Sequence, residues 1–209
     1  NIGAKERVTQ NRLIGLFKNV LKYTYLGNWE TREGNANIEE TLLTAYLSRR
    51  GYTDKEIRSA IAKFKQAANS LGGGLYNANK EVYTLLRYGV NVQAEVTEKK
   101  KMVHLIDWAN PMENDFQIAE EVTIQGESDR RPDLVVYVNG IALVVIELKR
   151  STVSAHEGIR QNIRNQQDGY IPRFFTTIQL LFAGNDTEGL HYGVIKTPEK
   201  FWLRWKEPC

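Results

Sequence analysis

The sequence predicts an α/β or α+β fold with a helical lobe at its N-terminus. Two observations lead to this prediction. Through residue 88, apolar residues recur three or four positions apart, which is the period of an amphipathic helix. From Val90 onward, Val and Ile alternate with polar residues, which is the period of a strand. Helices followed by strands, with one further helix among them, are typical of a sheet that packs against helices.

Four helices are predicted in the N-terminal lobe, each between recognisable start and stop signals. In order, they are residues 7–22, a helix capped by Asn37 and ended by Gly51, a helix that follows Thr53 and ends before Gly72, and residues 79–88. Three consecutive glycines, 72–74, separate the last two helices. No lysine and hydroxyl residue follow them at the spacing of a phosphate-binding loop, so they indicate a flexible linker.

Six strands are predicted in the remainder of the chain, with one helix over about residues 154–168 between the last two. The strands are residues 90–96, 102–107, 116–124, 133–138, 141–149 and 178–183.

The composition is that of an ordinary globular protein. Of the 209 residues, 42% are hydrophobic and 25% are charged, and the formal net charge is +3. No apolar run reaches the roughly 18 residues that a membrane helix needs, and no secretory leader opens the chain. The net charge permits a nucleic-acid partner without requiring one. Because Asn1 is not a methionine, we expect the chain to be a piece of a longer protein.

Several kinds of site are excluded by composition. The single cysteine, Cys209, rules out an internal disulfide and a cysteine-built zinc site, so we expect a reducing, cytoplasmic setting. The three histidines lack the spacing of a metal-binding pair. The pattern Gly-x-x-x-x-Gly-Lys-Ser/Thr does not occur, so the sequence shows no ATP site.

The residues that indicate chemistry flank a predicted β-hairpin. Asp133 begins one apolar strand, and the segment Glu147-Leu148-Lys149 ends the next. Asn139-Gly140 lies between the two strands and is the strongest short-range signal for a hairpin turn. Charged side chains at the ends of buried strands are costly, which favours a functional site there.

Whether the two acids share one face of the sheet depends on the register of this hairpin. With a strict two-residue loop, Val138 would face Ile141, and Asp133 and Glu147 would lie on opposite faces. We therefore predict a one-residue offset. It takes the form of a three-residue loop with a left-handed Gly140 in a bulge, or of an equivalent offset.

The bulged register makes definite predictions for pairing. Tyr137 would pair with Ile141, and Asp133 with Val145, so that Asp133, Glu147 and Lys149 share one face. The apolar residues of that face would be Val135, Tyr137, Ile141 and Leu143, and those of the other face Leu134, Val136, Ala142, Val144, Ile146 and Leu148. Because both faces are apolar, we expect an inner pair of strands covered on both sides.

Two carboxylates beside an ammonium group suit a hard divalent cation. Mg²⁺ prefers oxygen ligands and typically takes one or two protein carboxylates together with water and phosphate oxygens. Such an ion polarises a phosphate ester and lowers the pKa of a bound water, and Lys149 can stabilise the charge that develops. The alternative is structural: an ordinary ion pair, Glu147 with Lys149 or Asp133 with Arg131, at the edge of the sheet.

These residues resemble the PD-(D/E)xK nuclease core, and more narrowly the N-terminal nuclease domain of the restriction (R) subunit of type I restriction-modification enzymes. The resemblance covers nearly the whole chain. It depends on Asn37-Ile38-Glu39-Glu40, Leu85-Leu86-Arg87-Tyr88-Gly89-Val90, Leu105-Ile106-Asp107-Trp108, Asn114-Asp115-Phe116, Arg131-Pro132-Asp133, Val138-Asn139-Gly140, Ile146-Glu147-Leu148-Lys149, Gly158-Ile159-Arg160-Gln161-Asn162 and Gln166-x-x-x-Tyr170.

The resemblance implies roles for individual residues. Asp133 and Glu147 correspond to the metal-binding acids, and Lys149 corresponds to the catalytic lysine. Gln166 and Tyr170 match the family's Gln-x-x-x-Tyr element. On a helix, positions i and i+4 lie on one face, so both side chains would reach the cleft.

Further residues are candidates for accessory roles. An early helical glutamate completes the metal site in some members of this core, which makes Glu40, or Glu39, a further candidate ligand. Helix capping would explain these two acids equally well. Cationic side chains near the acids are candidates for contacts to DNA phosphates. They are Arg130, Arg131, Arg150 and Arg164.

The resemblance also implies the domain organisation. A restriction-endonuclease-like core, with a central mixed β-sheet flanked by helices, would occupy residues 90–209. The helical lobe would occupy residues 1–89 and pack with the core as one unit. In this family the domain precedes an ATP-driven translocase, and ATP would serve only that motor, which the chain lacks.

The function implied by the resemblance is a Mg²⁺-dependent endonuclease that hydrolyses phosphodiester bonds of double-stranded DNA by metal-activated water. Its expected partners are DNA and, through the full-length R subunit, the modification and specificity subunits. One alternative is a non-catalytic, nuclease-like scaffold that grips DNA and docks subunits. Another is a free-standing resolvase or repair nuclease that shares only the core.

Overall fold

A computed structural model describes residues 2–93 and 100–206, with side chains from residue 7 onward. Its α-helices are α1 (Ile2–Gly15), α2 (Glu40–Arg49), α3 (Asp54–Asn69), α4 (Leu75–Tyr88) and α5 (Ala155–Asn165). Its strands are β1 (Thr24–Asn28), β2 (Val90–Val92), β3 (Lys101–Val103), β4 (Phe116–Glu120), β5 (Leu134–Val138), β6 (Ile141–Leu148), β7 (Leu180–Asn185), β8 (Gly189–Gly193) and β9 (Leu203–Arg204).

Seven strands form one mixed sheet in the order β1-β4-β5-β6-β7-β8-β9, and β2 and β3 form a separate antiparallel pair. β1 runs parallel to β4 and β6 runs parallel to β7, whereas the other neighbours are antiparallel. β6 and β7 can be parallel because α5 carries the chain back across the sheet. The predicted architecture, a central mixed sheet flanked by helices with further helices at the N-terminus, is confirmed.

Three clusters of buried side chains hold the helices to the sheet. α5 covers one face of the β5–β6 hairpin, where Ile159 shares a cluster with Val135 and Val145. α1 covers the other face, where Ile14 shares a cluster with Leu134. The third cluster joins α2, α3 and α4 to the turn end of the hairpin. β5 and β6 are therefore inner strands covered on both sides, as predicted.

The turn of the hairpin differs from the prediction. Asn139 and Gly140 form a two-residue turn with φ values of 54° and 81°, and Val138 pairs with Ile141. The predicted three-residue loop, with Tyr137 opposite Ile141, is therefore wrong. The reason is that a two-residue turn with positive φ at both positions matches strand twist, and Asn-Gly adopts it readily.

The one-residue offset lies inside the strands instead. Tyr137 pairs with Ala142, but Val136 pairs with Val144. Leu143 is therefore an extra residue in β6, which is the definition of a β-bulge.

Beyond the bulge, the acids occupy the same face. Leu134 pairs with Ile146, so the register sets Asp133 across from Glu147. The predicted pairing of Asp133 with Val145 is wrong, because the extra residue lies in β6 and not at the β5 side of the turn, so the register shifts in the opposite sense. The predicted consequence, two acids on one face, is retained.

The location of the bulge also exchanges the faces of the residues next to the turn. Ala142 lies with Val135 and Tyr137 on the face that α5 covers. Ile141 and Leu143 instead pack with the helical lobe. The faces predicted for these three β6 residues are wrong, since one inserted residue inverts the alternation along a strand.

Most predicted helices are present with shifted ends. α3 follows Thr53 as predicted, and Thr53 caps it: its hydroxyl accepts from Glu56 N, and the Glu56 carboxylate accepts from Thr53 N. α2 begins at Glu40, and Asn37 does not cap it; the Asn37 amide donates to Arg173 O. Among the described residues, no helix combines the length and apolarity needed to cross a bilayer.

Other corrections concern the ends of the N-terminal lobe and the sheet. The glycines at 72–74 are not a flexible linker, because Leu71–Gly73 forms a 3-10 helix and α4 starts at Leu75. β1, β8 and β9 were not predicted, and β1 joins the main sheet, so the N-terminal third is not wholly helical. Residues 94–96 of the predicted strand 90–96, and Cys209, lie outside the described residues. The division at residue 89 stays a prediction.

Gly140 tests how the turn is fixed to the helical lobe. Its carbonyl accepts a hydrogen bond from Glu39 N, and a Cβ here would lie 2.7 Å from Leu42 Cβ and 2.8 Å from Leu43 N. Gly140→Ala combines a left-handed φ with this overlap, so we expect the free energy of unfolding to fall by about 3 kcal/mol in urea denaturation. Gly34→Ala is the control, because its φ is 72° but nothing lies within 4 Å. We expect it to lose about 1 kcal/mol; equal losses would mean that the close approach has no energetic weight.

Candidate active site

Asp133 and Glu147 lie at adjacent strand ends. Asp133 directly precedes β5, and Glu147 is the last residue but one of β6. Asp133 Oδ2 accepts a hydrogen bond of 2.6 Å from Leu148 N, which fixes the carboxylate across the strand pair. The fold therefore brings together the two acids that the sequence motif predicts.

Glu147 is completely buried, with 0% of its surface exposed. Burial first, and then the charge of Asp133, raise the pKa of Glu147 well above its ordinary value, while the Lys149 ammonium lowers it in part. Glu147 Oε2 accepts a hydrogen bond of 2.8 Å from Gln161 Nε2. Oε1 has no hydrogen-bond partner among the described residues. An unpartnered buried oxygen costs stability, and a bound cation would satisfy it.

Lys149 lies just past the end of β6. Its backbone N–H donates to Gly184 O at 2.9 Å, so the pairing with β7 continues beyond Leu148. The Lys149 side chain lines a pocket of roughly 270 Å³ together with Gln161. The lysine is thus placed where its charge lowers the pKa of the Glu147 carboxyl.

Gln161 is a site residue that was not among the predicted ones. Gly158 lets α5 approach β6 closely: a Cβ at this position would lie 3.5 Å from Glu147 Cβ and 3.4 Å from its carbonyl oxygen. One face of α5 carries small and polar residues at helical spacing. Three, four and seven residues after Gly158 come Gln161, Asn162 and Asn165. This stripe of small and polar residues on a sheet-facing helix is the signal that could have identified Gln161.

The predicted helical face that joins Gln166 to Tyr170 does not exist. α5 ends at Asn165 rather than at residue 168, because the chain turns at Gly169, whose φ is 86°. Gln166 is buried, and its side chain donates to Asn162 O at 3.0 Å and accepts from Lys196 N at 2.8 Å. These bonds close the C-terminal end of α5. A catalytic role for Gln166 stays a prediction from the resemblance.

Tyr170 lies beside the pocket that contains Lys149. The guanidinium of Arg130 lies over its ring, with 4.3 Å between the arginine Cζ and the ring centroid. Its backbone N–H donates to Gln167 O at 3.2 Å. The predicted catalytic role of Tyr170 also stays a prediction, and the structure adds Arg130 as its contact.

Glu39 and Glu40 lie at the opposite end of the hairpin. Glu39 N donates to a carbonyl of the β5–β6 turn, and the Glu39 carboxylate binds Arg32 at 2.6 Å. Glu40 is exposed and pairs with Lys65. The five residues of β5 separate this turn from Asp133 by roughly 16 Å. The structure does not bring either glutamate together with the acidic pair, and the role of Glu40 or Glu39 as a further metal ligand stays a prediction from the resemblance.

The four arginines predicted to contact DNA are engaged differently. Arg131 pairs with Glu30 and also with Glu121, where Nε and Oε2 are 2.9 Å apart. Its charge is therefore already balanced by two carboxylates. No described carboxylate forms an ion pair with the other three, which are Arg130, Arg150 and Arg164. Contacts of these side chains with DNA stay predictions.

The donor set fits the predicted ion without forming a closed metal site. Within residues 2–93 and 100–206, no group of three or more carboxylate, histidine or cysteine side chains is arranged to hold a metal. Asp133 and Glu147 supply two carboxylates, and one oxygen of Glu147 is buried without a partner. Two carboxylates are the usual protein contribution to a Mg²⁺ site that is completed by water and substrate phosphate.

Replacing Glu147 tests whether the buried acid is held at the expense of stability. Glu147→Gln keeps the shape and removes the buried charge, so we expect the free energy of unfolding at about pH 7 to rise by about 1–2 kcal/mol. Because the folded-state pKa of Glu147 is raised, the wild type loses stability as the pH rises above the ordinary glutamate value. The advantage of the variant should therefore grow from about pH 5 to about pH 8 in thermal or urea unfolding.

Glu188→Gln is the matched control for this substitution. Burial acts to raise the pKa of Glu188, but hydrogen bonds from Ala155 N and Ser154 Oγ, both 3.1 Å, outweigh it and lower that pKa. Neutralising Glu188 should therefore reduce stability. A loss of stability in both variants would mean that Glu147 is an ordinary structural acid.

Comparisons with known proteins identify the family of the chain. The family model described as "Type I restriction enzyme R protein N terminus" matches residues 3–200. The chain is 27% identical over 217 residues to the putative type I restriction enzyme MjaIXP endonuclease subunit of Methanocaldococcus jannaschii, covering 96% of this chain and 20% of that protein. It is 31% identical over 133 residues to the SsaAORF53P endonuclease subunit of Staphylococcus saprophyticus, covering 64% and 13%.

A third relative is the HindI endonuclease subunit of Haemophilus influenzae, which is 37% identical over 89 residues, 41% of this chain and 8% of that protein. The chain thus spans a fifth or less of the length of these relatives. Because the family model covers almost all of it, the chain belongs to the family of type I restriction enzyme R protein N-terminal domains.

Proposed function

We propose that the chain is the Mg²⁺-dependent endonuclease domain of a type I restriction enzyme R subunit and hydrolyses phosphodiester bonds of double-stranded DNA. One observation carries the proposal. In a chain of this family, Asp133 and a fully buried Glu147 with an unpartnered oxygen meet at one strand end beside Lys149. This is the arrangement of oxygen donors and ammonium that phosphoryl chemistry needs.

The residues of the chain divide the work between binding and charge stabilisation. Asp133 and Glu147 would hold Mg²⁺, which when bound polarises the scissile phosphate and lowers the pKa of a water. Gln161 donates to Glu147 Oε2 and so orients the carboxylate, which leaves Oε1 available. Leu148 N does the same for Asp133. Lys149 would stabilise the negative charge that builds up on the phosphate oxygens.

The rival function, a non-catalytic scaffold, gains nothing from this arrangement. A docking module could replace Glu147 with an apolar residue and gain stability, since a buried, incompletely bonded carboxylate is unfavourable. The hydrogen bonds that Leu148 N donates to Asp133 and Gln161 donates to Glu147 do not require two adjacent acids. The endonuclease proposal accounts for their presence.

The remaining features of the whole protein are part of the same proposal. The relatives are named as endonuclease subunits and are at least several times longer than this chain. We therefore propose that the chain is part of a full-length R subunit, in which an ATP-driven motor lies outside the present chain. Modification and specificity subunits would then select the DNA, and this domain would cut it.

The decisive test is plasmid cleavage with Mg²⁺ and ATP by the full-length R subunit that contains this chain, assembled with its modification and specificity subunits. We expect Asp133→Ala and Lys149→Ala each to reduce cutting by about 100-fold or more, because each removes a group that binds the ion or stabilises charge at the phosphate. ATP hydrolysis and translocation should persist, since the motor lies elsewhere.

Lys63→Ala is the matched control for the lysine. Lys63 lies on α3 and donates to Asn91 O, so its loss makes the same charge change away from the acids. We expect it to cut normally. If Asp133→Ala and Lys149→Ala also cut normally, these residues are structural and the chain is a docking module.

A further inference from the structure

A second polar site lies next to the acidic pair and is not explained by it. The pocket of roughly 270 Å³ is lined by α5 residues, by Lys149 and by one arginine from the loop before β5. Its lining residues are Arg130, Lys149, Glu157, Gln161, Arg164 and Asn165. The acid, Glu157, is already paired with Arg160 outside the pocket. Cationic and amide groups therefore dominate the lining.

Asn165 provides an independent indication that this pocket takes a ligand. Its side chain is 1% exposed, and both Nδ2 and Oδ1 lack a hydrogen-bond partner among the described residues. A buried amide that makes no hydrogen bond is unfavourable unless a ligand supplies one. Asn165 is one of the residues that line the pocket, and its amide nitrogen is a donor for which the described residues offer no acceptor.

Arg130 is held rigidly at the rim of the pocket. Its backbone exchanges two hydrogen bonds with Ile124, of 2.8 and 3.1 Å, which form an isolated β-bridge. Its guanidinium lies over the ring of Tyr170, and one nitrogen donates to Asp129 O at 2.7 Å. No described carboxylate pairs with it. The remaining N–H donors are free to bind an oxyanion.

We infer that this pocket is a phosphate subsite, in which Arg130 and Arg164 bind a backbone phosphate next to the one that is cut, and that Tyr170 is the positioning residue for Arg130. The inference rests on the proposed DNA substrate. An arginine fork matches two phosphate oxygens, and stacking on an aromatic ring leaves its donors at the edge exposed. The pocket adjoins Lys149, so a strand held there passes the acidic pair.

The role of Tyr170 follows from its contact. The ring, not the hydroxyl, touches Arg130, and its stacking holds an arginine that has no carboxylate partner to fix it. Tyr170 therefore acts through Arg130 and does not touch the reacting atoms. This assignment separates Tyr170 from the acids, because its removal should weaken DNA binding and leave the chemistry of the acidic pair in place.

The test measures the affinity of the 209-residue chain for a short fluorescein-labelled DNA duplex. Binding is followed by fluorescence anisotropy in EDTA over a range of salt concentrations. Each phosphate contact contributes about 0.9 to the slope of log affinity against log salt. We expect Arg130→Gln to reduce that slope by about one and Tyr170→Leu to weaken binding several-fold. Tyr170→Phe should restore the binding, because phenylalanine keeps the ring.

The matched control is Arg87→Gln. Arg87 also lies over an aromatic ring, 5.4 Å from the centroid of Trp108, but at the helical lobe. We expect its affinity and salt slope to match the wild type. Thermal unfolding of every variant checks that the fold is retained. Unchanged binding in Arg130→Gln, or wild-type chain with no salt-dependent affinity, overturns the subsite.

Cleavage by the full-length subunit separates this inference from the proposed function. If Tyr170→Phe loses cleavage while DNA binding is intact, the hydroxyl acts at the reacting atoms and the positioning role is wrong. If Asp133→Ala still cuts but Arg130→Gln loses its phosphate contact, the subsite stands and the assignment of the acids fails. If Asp133→Ala stops cutting and Arg130→Gln binds normally, only the subsite fails.

Discussion

The register of the β5–β6 hairpin is the constraint on which the candidate site depends. A two-residue turn alone would put Asp133 and Glu147 on opposite faces of the sheet. Leu143, the extra residue in β6, reverses that outcome. Its carbonyl accepts from Gln179 N, and the Asn139 amide donates to Leu105 O at the turn. The relation between the two acids is therefore set by contacts at the far half of the hairpin.

The second constraint is the closeness of α5 to β6. Gly158 permits the approach, and it brings Gln161 to Glu147 while burying Asn162 and Asn165. The helix thus faces the sheet with polar groups whose bonds are incomplete, as well as with apolar ones. Such groups lower stability and are retained where function uses them. Among the described residues, buried polar atoms without a hydrogen-bond partner thus occur on both α5 and β6.

The sequence predicted the fold class, the start of α3 after Thr53 and the meeting of the two acids, because each depends on a local pattern or on alternation along a strand. It did not predict the position of the bulge at Leu143, since apolar residues fill β6 on both faces and no alternation marks the slip. β1 was missed because its five residues include a glycine and gain their pairing from distant β4. The location of Glu40, away from the acidic pair, was not predictable for a related reason: the position of a residue in a helix does not indicate which end of a hairpin the helix meets.

Arg130 and Arg131 show the limit of inference from charge alone. They are neighbours in sequence, and both flank the same acids. Along an extended segment consecutive side chains point in opposite directions. Arg131 therefore meets Glu30 and Glu121, whereas Arg130 meets the ring of Tyr170 and the rim of the pocket. A cation that already has carboxylate partners must break those ion pairs to bind a phosphate. A cation that lies over an aromatic ring can bind a phosphate without breaking an ion pair. The proposed contact of this surface with DNA thus depends on which arginine is stacked, not on how many are present.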